Sequence, residues 1–383
     1  MVAGIVLIED GAHGVFQVGG LVEHRHHIGD SDVGGKLGQT RRHISDGHRA
    51  IVAPRLRKLR IAQRVRRSDN LLSVIDSTHW LLTLTCPDRP GIVHQVTGAI
   101  VAASGNITEL QQFSSTDSGR FFMRVQVQSG LSREQRELAH AAEAIDGLDE
   151  RSEKQIGFDR SQFEHRFAAV ANELGATWVL DYVGRRRRTL VLASKEGHCL
   201  NDLLFRQRSG YLPITIPKII ANHSDLSDLA SFYEVPFEVH SVTPDSKADV
   251  ERRILDVVAE HDIELVVLAR YMQILSPELC AELAGRAINI HHSFLPGFKG
   301  ANPYRQAHSR GVKLIGATAH FVTADLDEGP IIEQNVRRVD HTMAVPELVA
   351  VGQEQESRTL TEAVKLFAEH RVLLDDARTV IFR

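Results

Sequence analysis

A chain of 383 residues is long enough for two or three domains, and its 43% hydrophobic and 25% charged residues are typical of a globular protein. The formal charge of -4 argues against a dedicated binder of nucleic acid or anionic membranes, since those classes carry a basic excess. The three cysteines lie far apart, which predicts neither a disulfide framework nor a zinc site and favours a cytoplasmic location.

Residues 1–76 hold neither a helical nor a strand period for long and are rich in Gly, His and Arg. We expect a disordered or spurious extension. One alternative is that the basic cluster at residues 55–67 forms a helix that binds nucleic acid or lipid. Another is a metal site at EHRHH (residues 23–27), although no acidic or thiol partner is nearby. No run approaches the ~18 apolar residues that a membrane span needs, and the first residues lack the basic region of a signal peptide.

Residues 77–184 predict a small ferredoxin-like domain. Strands are predicted at residues 80–85, 107–114, 120–128 and 177–183, with helices at 92–104 and 158–175. Gly105 and Asn106 are predicted to end the first helix. The charged stretch at residues 131–155 is predicted to be an exposed helix inserted before the second of these helices. The order is therefore β-α-β-β-α-β, the split βαβ pattern.

The segments CPDRPGIV (residues 86–93) and SGNI (residues 104–107), on that order of elements, resemble the ACT domain family of regulatory modules that bind amino acids. The resemblance implies an effector site, often formed across a dimer interface, at Asp88, Arg89, Gly91 and Asn106. It also implies glycine or methionine as effector and a homo-oligomer formed through the ACT domains. The alternative is that Asp88 and Asn106 cap a helix and a turn, and that the domain only dimerises.

Residues 185–383 predict an α/β domain with a doubly wound, mostly parallel sheet. The arginine run at residues 185–188 is interpreted as a solvated domain boundary, after which buried strands alternate with helices. Strands are predicted at residues 190–193, 214–221, 237–239, 265–268, 287–290 and 316–322. In such sheets ligands bind beyond the carboxyl ends of the strands. The residues that follow each strand are therefore the candidates for a site.

The loops after two strands give different indications. SKEGHC (residues 194–199) has one glycine and an acidic residue, so a phosphate-binding loop is not predicted there. ARYMQIL (residues 269–275) is an irregular apolar loop that can sandwich a flat heterocycle, or an ordinary connection between a strand and a helix.

The end of the predicted strand at residues 287–290 carries the polar residues of most interest. Asn289 and His291 are two residues apart in an extended chain, so their side chains point to the same face, whereas His292 is expected to point away. An asparagine can stabilise an oxyanion without titrating, and a histidine can move a proton near neutral pH. Asp325 and Asp327 follow the next strand, and at least one of them is a candidate orienting group.

The segments NIHHSFLP (residues 289–296), AHFVTADLDEGPII (residues 319–332) and ARYMQIL together resemble the formyltransferase family that uses 10-formyltetrahydrofolate, over about residues 189–382. The resemblance implies that Asn289, His291 and Asp327 are catalytic and that His320 supports them. It implies no metal and no cofactor besides the folate substrate. The implied pterin contacts are Met272, Gln273, Ile274, Leu275, Thr323, Ala324 and Asp325.

Within that family, an ACT domain combined with SKEGHCLNDLL (residues 194–204) and NIHHSFLPGFKGANPY (residues 289–304) is similar to the deformylase branch. This implies hydrolysis of 10-formyltetrahydrofolate to formate and tetrahydrofolate, which supplies formate for purine synthesis. The alternatives are formyl transfer to an amine acceptor and a non-catalytic sensor of folate or amino acids.

Overall fold

The computed structural model of the protein describes residues 79–129, 160–293 and 303–383. The extension at residues 1–76 and the insert at residues 131–155 lie outside the described residues, as do the two alternatives for the extension. No helix of the described ranges combines the length and apolar character that crossing a membrane requires.

The first sheet has the predicted ferredoxin-like topology. Strands β1 (His79–Pro87), β2 (Gly105–Ser115), β3 (Arg120–Ser129) and β4 (Thr177–Tyr182) lie in the order β2-β3-β1-β4, and neighbouring strands are antiparallel. Helices α1 (Ile92–Ala102) and α2 (Arg160–Leu174) pack on it, because their apolar residues recur at helical spacing and join one buried cluster with those of the sheet. The predicted β-α-β-β-α-β order is confirmed.

The end of α1 differs from the prediction. Ser104, rather than a glycine, takes the left-handed conformation after the helix, with φ of 59°. Gly105 is already the first residue of β2, where a Cβ atom would lie 2.6 Å from Val127 Cγ1 and 2.8 Å from Ile100 Cγ2. Glycine is required at this position by close packing and not by a helix-ending turn.

The second sheet is mostly parallel, as predicted. Its strands are β5 (Arg187–Ala193), β6 (Ile214–Ala221), β7 (Phe237–Val239), β8 (Leu265–Ala269), β9 (Ala287–His291), β10 (Leu314–Phe321) and β11 (Ile331–Arg338). They lie in the order β11-β10-β9-β8-β5-β6-β7; β10 is antiparallel to both of its neighbours, β9 and β11, and the other neighbouring strands of this sheet are parallel. The chain reverses its direction of winding between β5 and β8, which is where open sheets of this kind bind ligands.

Helices cover both faces of this sheet. They are α3 (His198–Arg208), α4 (Ser227–Phe232), α5 (Lys247–Glu260), α6 (Pro277–Glu282), α7 (Pro303–Ser309) and α8 (Val345–Ala368). Successive residues of β5 alternate between two cores: Val191 packs with α3, α4 and α8, whereas Leu190 and Leu192 pack with α5 and α6. Each fully buried side chain of this size contributes about 1.5–3 kcal/mol, so burial on both faces explains why these runs are strands.

The sequence analysis identifies no elements beyond residue 330, and the structure adds several. Strand β11 closes the edge of the sheet, α8 packs against α3 and β10, and β12 (Val372–Asp375) and β13 (Arg378–Ile381) form a hairpin. This hairpin contacts the first sheet, because Ser115 Oγ donates a hydrogen bond to Asp375 Oδ2 at 2.8 Å. The residues after β11 therefore join the two sheets.

The expectation that residues 185–188 are solvated is wrong for Arg187, although Arg186 and Arg188 are exposed. Arg187 is the first residue of β5 and its side chain is only 11% exposed. Its Nη2 lies 2.8 Å from Asp181 Oδ2 of β4, and its Nη1 lies 2.7 Å from Glu264 Oε1. The run of arginines suggested solvent exposure because the acidic partners of Arg187 lie 6 and 77 positions away in the sequence.

His370 lies beside these ion pairs, in the turn after α8. Burial lowers the pKa of His370 to about 3, and the charges of Arg187, Arg124 and Arg185 act in the same direction. Asp181 Oδ2 lies 3.1 Å from His370 Nε2, but the same carboxylate already pairs with Arg187. His370 is therefore neutral in the folded protein at neutral pH.

Candidate active site

Strand register brings three polar side chains together at the carboxyl end of β9. Asn289 and His291 lie on one face of β9, and in the antiparallel pairing His320 of β10 is directly opposite Asn289. Asn289 Nδ2 and His320 Nε2 are 3.3 Å apart, while His320 Nδ1 donates to the Phe321 carbonyl oxygen at 2.9 Å. The predicted convergence of these three residues is present in the fold.

A turn after β10 delivers Asp327 to the two histidines. The Phe321 N–H donates to the Pro330 carbonyl at 2.9 Å, and a Cβ atom on Gly329 would lie 1.8 Å from the Phe321 oxygen. Only glycine therefore allows this approach. Asp327 itself has a left-handed backbone with φ of 57°, which places Oδ2 at 3.1 Å from His291 Nδ1 and Oδ1 at 3.6 Å from His320 Nε2.

Asp327 is ionised at neutral and moderately acidic pH. The hydrogen bond from His291 and the neighbouring imidazole of His320 hold the pKa of the Asp327 carboxyl well below its usual range, although partial burial opposes them. A carboxylate on Nδ1 of His291 fixes the ring so that Nε2 is the nitrogen available for proton transfer.

A cavity of about 230 Å³ opens beside this cluster. Its walls include Asn289, His291, His320 and Asp327 and six of the seven residues for which a pterin contact is predicted: Met272, Gln273, Ile274, Leu275, Thr323 and Ala324. Met272 and Ile274 are 59% and 61% exposed, which is unusual for large apolar side chains and suits them to cover a flat ligand. Asp325 does not line the cavity, and its carbonyl accepts a hydrogen bond from Thr323 Oγ1 at 3.0 Å. The pterin contacts stay predictions.

Ser293 is a partner of His291 that the sequence analysis missed. Its Oγ lies 2.8 Å from His291 Nε2, so serine, histidine and aspartate follow one another as in a nucleophilic hydrolase. Ser293 is buried and does not line the cavity, however, which argues against a role as the attacking nucleophile. We interpret it as the group that holds Nε2 until a substrate takes its place.

His292 differs from the prediction. It lines the same cavity as His291, and the two imidazole rings stack with centroids 4.8 Å apart and planes 25° apart. The strand ends at His291, so the alternation of side chains that predicted the opposite direction does not extend to residue 292.

A buried carboxylate behind the cavity is the second missed feature. Glu356 of α8 is only 1% exposed; it accepts a hydrogen bond from Tyr304 at 2.6 Å and lies 2.7 Å from His198 Nε2 and 3.3 Å from Arg270 Nε. Burial by itself raises the pKa of Glu356, but these three partners reverse the effect, and the net pKa is lower than usual. The spacing of these residues in the sequence gives no sign of the cluster.

Donor atoms of His198, Cys199 and Glu356 lie within 4.8 Å of one another, as in a metal site. Burial raises the pKa of the Cys199 thiol well above its ordinary value, and the Glu356 charge adds to this, so the thiol is not an anionic ligand. The Glu356 carboxylate is already occupied by Tyr304 and Arg270. The donor set fits a hydrogen-bonded cluster better than a metal site.

The predicted effector residues lie on the surface of the first sheet. Asp88, Arg89 and Gly91 belong to the loop before α1, and Asn106 lies in β2. Arg89 donates to the Glu173 carbonyl at 3.0 Å. The cap of α1 is Gly91, without a side-chain hydrogen bond, so Asp88 does not cap this helix as the alternative holds. The effector site stays a prediction.

Two family models match the chain, one over the first three strands of the first sheet and the other over the second sheet. The ACT domain model matches residues 80–142, and the formyl transferase model matches residues 187–364.

Curated relatives and solved structures are similar over about four-fifths of the chain. The formyltetrahydrofolate deformylase of Corynebacterium sp. (strain P-1) is 44% identical over 308 residues, which cover 80% of this chain and 99% of that protein. The formyltetrahydrofolate deformylase of Bacillus subtilis (strain 168) is 39% identical over 302 residues, covering 79% and 93%. The crystal structure of the Burkholderia mallei formyltetrahydrofolate deformylase is 45% identical with a TM-score of 0.71, and the match covers 80% of this chain and 100% of that one.

Proposed function

This chain belongs to the formyltetrahydrofolate deformylases, and from that premise we propose how its own residues hydrolyse 10-formyltetrahydrofolate to formate and tetrahydrofolate. The observation that carries the proposal is the convergence of Asn289, His291 and Asp327 on one cavity. We assign residues 77–184 to the ACT domain and residues 185–383 to the catalytic domain.

The pterin is proposed to lie against the loop that follows β8. Met272 and Ile274 offer exposed apolar surface there, and Ser194 Oγ, which accepts from the Met272 N–H at 3.0 Å, holds the loop on the end of β5. Gln273, Leu275, Thr323, Ala324 and Asp325 complete the proposed folate contacts. The N10 formyl group would then face the Asn289 and His291 side chains.

Water is the proposed acceptor. Asp327 and His291 orient and deprotonate it, and its oxygen forms a bond to the formyl carbon while the carbonyl oxygen becomes an oxyanion. The amide of Asn289 and the ring of His291 donate to that oxyanion, a kind of contact worth roughly 3–4 kcal/mol per donor. Ser293 must turn its hydroxyl away from His291 Nε2, which a serine does by rotation about a single bond.

Collapse of the tetrahedral intermediate breaks the bond between the carbon and N10. The proton taken from water passes through His291 to N10, and the second water proton leaves as the product ionises to formate. His320 keeps Asn289 and Asp327 in place. Water is the only reactant besides 10-formyltetrahydrofolate, and protein side chains move the protons, so neither a metal nor a cofactor is part of the proposal.

Three further points belong to the proposal. The ACT domain binds an amino acid, glycine or methionine, at Asp88, Arg89, Gly91 and Asn106, and it joins copies of the chain into a homo-oligomer. The enzyme works in the cytoplasm, which the three buried, unpaired cysteines support. The formate it releases feeds purine synthesis and balances one-carbon pools.

The test is incubation of the purified chain with 10-formyltetrahydrofolate in the absence of any amine acceptor. We expect catalytic release of formate and tetrahydrofolate in equal amounts. Turnover only after addition of an amine would instead support a formyltransferase, and no turnover with intact folate binding would support a sensor.

A further inference from the structure

Hydrolysis places two oxygen atoms on the formyl carbon, whereas transfer to an amine leaves only one. Asn289 and His291 account for the original carbonyl oxygen. The oxygen delivered by water gains negative charge as formate forms, and Asn289 and His291 donate no hydrogen bond to this second oxygen. A deformylase therefore needs further donors at the same cavity.

Arg270 has the geometry of such a donor. It follows β8 directly and takes the left-handed conformation, with φ of 62°, which side chains other than glycine rarely adopt. Strained residues of this kind are found where the side chain has a function. The Arg270 side chain lines the cavity, and its Nε is buried without a hydrogen bond, since its approach to Glu356 has ion-pair but not hydrogen-bond geometry.

His292 lines the cavity as well and has the same deficiency. Both nitrogens of His291 are engaged, one by Asp327 and one by Ser293, but Nε2 of His292 is buried without a partner. Burial lowers the pKa of His292 to about 4, and the Arg270 and His291 charges add to this, so the ring is neutral. A buried ring nitrogen without a partner is unfavourable unless a bound species pairs with it, and the tautomer with its proton on Nε2 can donate from this position.

Glu356 offsets the positive charge in this part of the cavity wall. Its buried carboxylate neutralises Arg270, while Tyr304 and His198 hold it from the other side. The site therefore presents hydrogen-bond donors without a large net charge. Such a site binds a small anion weakly, as the release of a product requires.

We infer that Arg270 and His292 form a subsite for the oxygen that water delivers, and that this subsite holds the carboxylate of formate after the C–N bond breaks. The inference rests on the proposed hydrolysis and assigns two residues to its second oxygen. Glu356 is a positioning residue that acts through Arg270.

The experiment measures product inhibition by sodium formate, at ionic strength held constant with sodium chloride, together with kcat and the affinity for tetrahydrofolate. Arg270→Gly removes the side chain and suits the left-handed backbone, and Arg270→Lys keeps the charge. His292→Phe keeps a ring stacked on His291 but removes its nitrogens. His308→Gln is the control, because it replaces an exposed histidine of α7 that does not line the cavity.

We expect Arg270→Gly and His292→Phe to raise the formate inhibition constant at least tenfold and to lower kcat by about 10-fold to 100-fold, with tetrahydrofolate affinity within twofold of the parent enzyme. Arg270→Lys should recover part of both effects. A formate inhibition constant that is unchanged in Arg270→Gly and His292→Phe, or raised equally in His308→Gln, would overturn the subsite. A parent enzyme that releases no formate would instead refute the proposed function, so the two failures are distinguishable.

Discussion

Replacement of Asp327 by asparagine tests the catalytic assignment with little change in shape. Asparagine has the size of aspartate, and it tolerates the left-handed φ of 57° at this position better than most residues do. Its amide oxygen can still accept from His291 Nδ1. The variant therefore removes the negative charge and leaves the turn in place.

The expected loss follows from the distance between the charges. Two unit charges separated by the 3.1 Å between Asp327 Oδ2 and His291 Nδ1 attract by about 5 kcal/mol at an effective dielectric constant of roughly 20. The Asp327 side chain is 19% exposed, so we reduce this to about 3 kcal/mol at the lower limit. Since each 1.36 kcal/mol is a factor of about ten in rate, kcat should fall between about 100-fold and about 10,000-fold.

The assay couples formate release to formate dehydrogenase, with thermal unfolding measured on the same samples. Glu328→Gln is the matched control, because it makes the same chemical change at an exposed neighbouring residue. Its kcat should stay within twofold of the parent value. If Asp327→Asn kept more than a third of the parent kcat while correctly folded, the imidazolium would not depend on this carboxylate and the reasoning would fail.

Three further predictions concern other parts of the molecule. The free energy of unfolding should fall as pH decreases from about 6.5 towards 3, and His370 should contribute up to about 1.4 kcal/mol per pH unit. The reason is that unfolded His370 takes up a proton in this range, whereas the buried ring, with its pKa of about 3, does not. His370→Asn should therefore flatten the plot of unfolding free energy against pH, and equal slopes in the two proteins would contradict this. Gly329→Ala should destabilise the protein by about 1–3 kcal/mol and abolish activity, because its Cβ would lie 1.8 Å from the Phe321 oxygen. The control Gly98→Ala, whose Cβ meets nothing within 4 Å, should keep the stability and the activity of the parent. A fully active Gly329→Ala would show that the turn can shift. Three buried thiols should resist a disulfide reagent until denaturant is added, because burial raises the pKa of each: Cys86, Cys199 and Cys280. Rapid labelling of the native protein would disprove this prediction.

The features that could be predicted from sequence are those set by local periodicity. Strand alternation was enough to place Asn289 and His291 on one face, and the resemblance of the turn at residues 322–330 indicated Asp327. The sequence could not indicate Glu356, because its position on α8 reads as one residue of a long amphipathic helix. Its partners come from α3, α7 and the end of β8, and only the packing of these elements brings them together.

The two errors at residues 187 and 292 have one physical origin. Both came from applying a local rule beyond the element that justifies it. Strand alternation ends where the backbone leaves the strand, and a run of arginines is solvated only if no acidic partner is buried with it. Asp181 and Glu264 are such partners, and nothing near residue 187 in the sequence reveals them.

The ion pair between Asp181 and Arg187 limits the ways in which the ACT domain of this enzyme can be studied. Arg187 belongs to β5, which lies in the middle of the catalytic sheet between β6 and β8. An enzyme trimmed of its ACT domain would lose Asp181, and Arg187 and Arg185 would then share Glu264 alone. A change in its activity would report a charge defect in the central strand as well as the loss of the ACT domain. Point substitutions in the loop before α1 are the cleaner way to separate regulation from catalysis.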